Sequence, residues 1–124
     1  MAAPNIVNVA TITGKTSYVA LSTTNATQLV SNAASSGKVF KINMIQVTNV
    51  DGTNDATVSI DLHSQDDIGG TGYALASTLT VPADASVIIT DKNTAIYLEE
   101  DKSLAATASA ANDLEVIVSY EEIS

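Results

Sequence analysis

The chain contains no cysteine and no tryptophan. Without thiols it forms no disulfide, offers no thiolate nucleophile and builds no cysteine metal site. Aromatic residues are few: four tyrosines and one phenylalanine, at Tyr18, Phe40, Tyr73, Tyr97 and Tyr120. Basic residues number five against 14 acidic ones, a net charge of −9. Nucleic acids are bound through Lys and Arg, so no nucleic-acid partner is expected. An anionic membrane surface repels such a chain, and no apolar run approaches the roughly 20 residues of a spanning helix. No membrane partner is expected either. The opening Met1-Ala2-Ala3-Pro4-Asn5 has neither the basic nor the apolar stretch of a signal peptide.

What is present is apolar alternation in a chain of 124 residues with 45% hydrophobic residues. The length fits one domain over residues 1–124, with residues 1–5 an extended N-terminal arm that can add a strand to a neighbour. Much of the apolar content is alanine, which buries little area. The core is therefore thin, and burial against sister subunits or a partner is expected to supplement it.

The period of two is clearest in Ala56-Thr57-Val58-Ser59-Ile60-Asp61-Leu62-His63. Ala56, Val58, Ile60 and Leu62 share one face, and the polar residues share the other. Leu114, Val116, Val118 and Tyr120 repeat the pattern, with Ile117 interrupting the polar face. From Val39 to Val50 the phase changes: Phe40, Ile42 and Met44 are in one register, Ile45 and Val47 in the other. A one-residue slip flips every side chain, so a bulge or bend is expected near Met44-Ile45, where the strand can pass to another sheet. Further strands are expected over Ile6–Thr13, Ser17–Ser22, Thr27–Ser31, Ala74–Val81, Ser86–Thr90, Ala95–Leu98 and Ser103–Ala108. Thr13-Gly14-Lys15 reads as a turn, Asp51-Gly52 as a hairpin signal, and Asp66 to Gly72 as a mobile loop. Asn25 to Ser35 holds a capping-box-like pattern without a wide apolar stripe, so strand is favoured there over helix. The sum is an all-β, single-domain antiparallel β-sandwich, jelly-roll-like, of about 8–10 short strands.

Chemistry-bearing groups are sparse. His63, Ser64, Asp66 and Asp67 supply the residue types of a relay, but neighbours on one strand face opposite ways and cannot converge. Asp51 to Asp55 departs from a calcium loop: Gly52 stands at position 2, and Leu62 where a glutamate is needed. Gly69-Gly70-Thr71-Gly72 lacks the following helix and lysine of a phosphate cradle. Glu99-Glu100-Asp101 reads as a solvated turn rather than a paired-acid cleft. Asn25-Ala26-Thr27 is a chance match to a glycosylation pattern. No catalytic residue, cofactor site or metal site is expected, and no enzyme.

Three segments carry a resemblance. Ala3-Pro4-Asn5-Ile6-Val7-Asn8-Val9-Ala10-Thr11-Ile12-Thr13-Gly14-Lys15-Thr16, Val47-Thr48-Asn49-Val50-Asp51-Gly52-Thr53, and the closing stretches Ile96 to Leu104 and Leu114 to Ser124 resemble small virion structural proteins of tailed phages, especially marine cyanophages. The resemblance implies a particle component assembled in the host cytoplasm and carried in the virion. It implies a capsid decoration, or cement, protein bound outside the major capsid lattice as a homotrimer. The alternatives are a neck, tail or fibre-attachment component, or a carbohydrate-binding adhesion module using Tyr73 or the glycine-rich loop.

Overall fold

The segment whose sequence alternates best becomes the centre of one sheet. In the computed structural model, which describes residues 4–124, Ala56–Gln65 is a strand with Ala56, Val58 and Ile60 buried and Thr57, Ser59 and Asp61 only partly covered. In chain order the strands are β1 (Ile12–Ala20), β2 (Thr27–Asn32), β3 (Val39–Asn49), β4 (Ala56–Gln65), β5 (Gly69–Val81), β6 (Ser86–Thr90), β7 (Ile96–Leu98), β8 (Lys102–Ala108) and β9 (Leu114–Ile123). A single turn of 3-10 helix, Lys92–Thr94, separates β6 from β7.

One sheet, here sheet A, runs β1-β9-β3-β6, with β7 also paired to β3. Sheet B runs β2-β8-β4-β5. β6 pairs with Ile45 to Thr48 and β7 with Phe40 to Ile42, so the two lie end to end along one flank of β3. Counted as one broken strand, they give two four-stranded sheets with all pairs antiparallel and the first strand beside the last. That is jelly-roll connectivity. Leu21, Ile42, Ile45, Val47, Val58, Ile60, Leu98, Leu104, Leu114, Val116 and Val118 fill the space between the sheets. Phe40 and Tyr120 add the aromatic contact there, with ring centroids 5.3 Å apart.

The phase change in β3 is a bulge, one residue earlier than the sequence suggests. Ile42 pairs with Tyr120 and Met44 with Ser119, so Asn43 is the extra residue. Phe40 and Ile42 on one side of it, and Ile45, Val47 and Asn49 on the other, all reach the interior. The strand does not change sheets: both halves pair with β9. The bulge alone resolves the conflict of phase, so no crossing is needed.

Three other expectations are corrected. Thr13-Gly14-Lys15 is not a turn but lies inside β1, each residue paired with β9. The strand expected over Ile6–Thr13 begins only at Ile12. Before it, Asn5 accepts the Val7 N–H at 2.9 Å and Asn8 N–H bonds Asn5 O at 3.0 Å. Asn5 thus opens a side-chain-capped turn; the arm expected over residues 1–5 falls largely outside the described residues, which begin at Pro4. Gly69 to Gly72 belongs to β5, and the turn sits earlier, where Asp67 and Ile68 take left-handed φ of 51° and 61°.

Lys15 and Lys38 both hold the Glu122 carboxylate, at 3.0 and 2.7 Å. The Lys38 hydrogen bond, more than that of Lys15, pulls the Glu122 carboxyl below its ordinary value against a smaller effect of burial. A depressed carboxyl contributes stability above its unfolded pKa, and that contribution is lost as pH falls through the folded value. Glu122→Gln should therefore cost about 0.5–1 kcal/mol near neutrality and nothing at strongly acid pH. Melting curves of both proteins from neutral to acid pH should converge.

Candidate docking surface

The two sheets turn unlike faces to solvent. On sheet B the outward positions follow from the register: Ser31, Ser103, His63 and Gly72 form one row, and Gln28, Ala105, Asp61 and Ala74 the next. Every side chain in these rows is polar or small; Ser103 and Ala105 are buried, and the large apolar side chains that sheet B exposes, Tyr73, Leu75 and Leu79, all lie on its edge strand β5. On sheet A, Leu114, Val116 and Val118 point inward, so their neighbours point out. The row through Ile117 reads Tyr18, Ile117, Gln46, Ile88 across β1, β9, β3 and β6. Tyr18 is 81% exposed, Ile88 58% and Ile117 40%. An apolar band thus crosses the whole sheet, with only Gln46 breaking it.

Two shallow hollows flank the band. One, of about 560 Å³, is lined by Tyr18, Ala20, Thr48, Glu115 and Ile117 among others. The second, of about 600 Å³, includes Thr16, Asn43, Met44, Ile88, Ser119 and Glu121. The bulge shapes this second hollow. It leaves Met44 on the outward side, and the buried Asn43 Oδ1 has no hydrogen-bond partner. Acidic Glu115, Glu121 and Asp91 and basic Lys41 and Lys92 border the apolar band, so a partner here meets aliphatic and aromatic surface with a rim of both charges. An exposed apolar patch with a polar rim marks an interaction surface. Enclosed pockets suited to a small molecule are a different geometry.

The residues considered for chemistry are engaged in holding loops. His63 Nδ1 lies 3.3 Å from Gly69 O. Ser64 Oγ accepts the Thr71 N–H at 2.9 Å. Asp66 accepts the Ala34 N–H at 3.1 Å, and Asp67 N–H donates to Ser31 at 3.0 Å. Asp51 accepts the Thr53 N–H at 2.8 Å and the Asn54 amide at 3.2 Å, which hold its carboxyl below the usual value. Glu100 accepts from Gly37 N–H at 3.2 Å, and Asp101 from Asp66 N–H at 3.2 Å. Glu99 is exposed, borders a hollow of about 210 Å³ with Pro4, Ile6, Val39 and Tyr97, and stands apart from those bonds. Asn25 is exposed in the loop before β2, and Tyr73 is exposed on β5 opposite Leu62. Among the described residues no three His, Asp or Glu side chains are grouped to hold a metal ion.

Alternation along β9 marks Ile117 as an anomaly on a polar face. It does not join Ile117 to Tyr18 and Ile88, because that row exists only through cross-strand register.

No family model matches the sequence, and no curated protein matches it. Among solved structures, a chain from the disulfide-linked pili of Bacillus endospore appendages superposes with a TM-score of 0.52 at 14% identity, over 92% of this chain and 88% of that one. A chain from the acid-stable capsid of Helicobacter pylori bacteriophage KHP30 does so with a TM-score of 0.49 at 11% identity, over 94% and 90%. The pilus likeness establishes a shared fold.

Proposed function

We propose that this chain is a virion structural protein, a capsid decoration subunit that seats the outward face of sheet A on the major capsid lattice. The observation that carries the reading is the apolar band of Tyr18, Ile117 and Ile88 across sheet A, set against the polar or small outward rows of sheet B. A subunit that coats a particle needs one face to adhere and one face to meet water, and the two sheets divide in that way. The jelly roll is a recurrent scaffold of viral capsid domains, and of lectins and cupins as well; the site, not the fold, selects among them. The dispersed acids and the lone histidine, most of them tied to loops, favour adhesion over catalysis. The resemblance of the terminal segments to small phage virion proteins agrees with that choice. The pilus chain shares the scaffold, but a chain without cysteine cannot copy its disulfide links.

The test is binding to heads of the tailed phage that carries the protein, prepared without it. Purified protein should bind DNA-filled heads and raise their resistance to heat. Ile88→Lys should weaken that binding by at least about tenfold, the effect of one central contact, while stability changes by less than about 0.5–1 kcal/mol. Gln28→Lys, on sheet B, should bind as the native protein does. Heads that bind neither protein, or bind both equally, count against the surface. A copy number near a dozen per particle, measured by mass spectrometry, would move the protein to the neck or tail.

A further inference from the structure

The sandwich has four edges, and three are guarded. β5 departs from regular pairing at three places and carries left-handed Thr78 and Gly70. β2 has a register shift between Gln28 and Val30. The flank made by β6 and β7 is broken by a helical turn and a further shift. β1 has none of these devices. It pairs with β9 without a shift from Ile12 to Ala20. Its one charged residue, Lys15, could ward off a neighbour, but its ammonium is drawn back 3.0 Å from Glu122 of the same chain.

The free side of β1 can be read residue by residue. Thr11 and Ser124 exchange both backbone hydrogen bonds, at 3.0 and 2.9 Å, and Leu21 N–H bonds Leu114 O at 2.9 Å. Odd-numbered residues therefore face β9, and alternation turns the N–H and C=O of Ile12, Gly14, Thr16, Tyr18 and Ala20 outward. Among the described residues none of these groups has a partner within the chain.

We infer that β1 pairs antiparallel with β1 of a second copy, about a two-fold axis through Thr16. Thr16 is the middle of the strand, so only this axis overlaps its full length. The pairs are then Thr16 with the partner's Thr16, Gly14 with the partner's Tyr18 and Ile12 with the partner's Ala20. Each of them joins outward backbone groups. A side chain built on Gly14 would meet nothing within 4 Å, and Tyr18 is the most exposed aromatic residue. The pairing lays each tyrosine ring over the partner's Gly14, a known way to cover a strand glycine, and beside the partner's Ile12, which is itself exposed. β1 contains no acidic residue, and Lys15 falls opposite the partner's Ser17, so no like charges meet at the seam. The two outward faces of sheet A join into one surface, whichever partner that surface serves. An isologous pair closes at two copies and departs from the trimer implied by the resemblance.

The full chain should sediment as a reversible dimer that tightens with added salt, because both copies carry −9 and salt screens their repulsion. A basic partner on the same edge would instead be weakened by salt. Thr16→Pro removes an N–H that faces solvent, a substitution edge strands accept, and should weaken dimerisation at least about tenfold. Thr16→Cys places the chain's sole thiol at the axis, with Cα atoms about 5.5 Å apart, within disulfide range. Mild oxidation should cross-link it much faster than Thr80→Cys on β5. A native protein that stays monomeric at every concentration overturns the inference. So does a Thr16→Pro variant that dimerises normally, or a Thr16→Cys variant that cross-links no faster than Thr80→Cys.

Discussion

Deleting Gln46 should leave the chain unable to fold, whereas deleting Asn43, three residues away, should leave it folded. The difference lies in phase. In β3 the pairing jumps from Ile42–Tyr120 to Met44–Ser119, so removal of Asn43 converts a bulge into a regular ladder. Ile42 stays inward, Met44 outward and Ile45 inward. One orphaned buried oxygen, Asn43 Oδ1, also disappears. The expected stability change is within about 1 kcal/mol, since only the local irregularity is lost. Removal of Gln46 instead leaves the bulge and inverts the remainder of the strand. Val47 and Asn49, both buried, would turn to solvent, and Thr48 would enter the core. Losing buried valine alone costs roughly 1.5–3 kcal/mol, and a buried Thr48 together with the Val81 carbonyl that Asn49 no longer reaches adds to it. The sum rivals the whole stability of a small domain. Far-ultraviolet circular dichroism and a denaturant melt of the two deletion variants decide the matter. An unfolded Asn43 deletion would show that the bulge is itself required.

The second large effect is expected at Asn49. Its side-chain amide donates to Asn54 O and Val81 O, both at 3.0 Å, and its oxygen accepts the Asp51 N–H at 2.9 Å. The residue is 1% exposed. It ties the end of β3 to the loop before β4 and to the end of β5, so one side chain fixes both ends of the β4–β5 hairpin. Asn49→Ala removes three hydrogen bonds and strands a buried carbonyl. The expected loss is about 3 kcal/mol, on the order of 10 °C in melting temperature for a chain of this size. Thr48→Ala, the outward neighbour, should change stability by less than about 0.5 kcal/mol. Asn32 plays the matching part at the other end of the sandwich, donating to Lys38 O and Leu98 O at 3.0 Å. Its alanine variant should behave alike.

Much of the sandwich is legible in side-chain alternation because each central strand buries one face. Ser86–Thr90 has the same bounds as β6, and the inward residues of β4 and β9 are those the pattern selects. Alternation fails where neither face is buried. β1 is exposed along most of its length, so its residues carry no dry face to read, and Gly14 looks like a turn. The glycines after Ile68 mislead for another reason. Gly72 is small because His63 is close: a Cβ there would come within 3.1 Å of the ring. The chain reverses at Asp66, Asp67 and Ile68 instead. The docking band is the least legible part, since Tyr18, Ile88 and Ile117 are far apart along the chain and meet only through register.

The place of β9 has a consequence during translation. Among the described residues β9 lies between β1 and β3 and links them in sheet A, and it is translated after every strand it pairs with. Until Leu114 to Ile123 leave the ribosome, β1 has no strand of its own chain to pair with and one flank of β3 stands open. The nascent chain must hold these segments apart from their counterparts on neighbouring nascent chains. Closure then depends on contacts between residues distant in sequence, Ile12 with Ile123 among them, which makes it a slow step. Chains crowded on one messenger would be most exposed to mispairing just before β9 emerges.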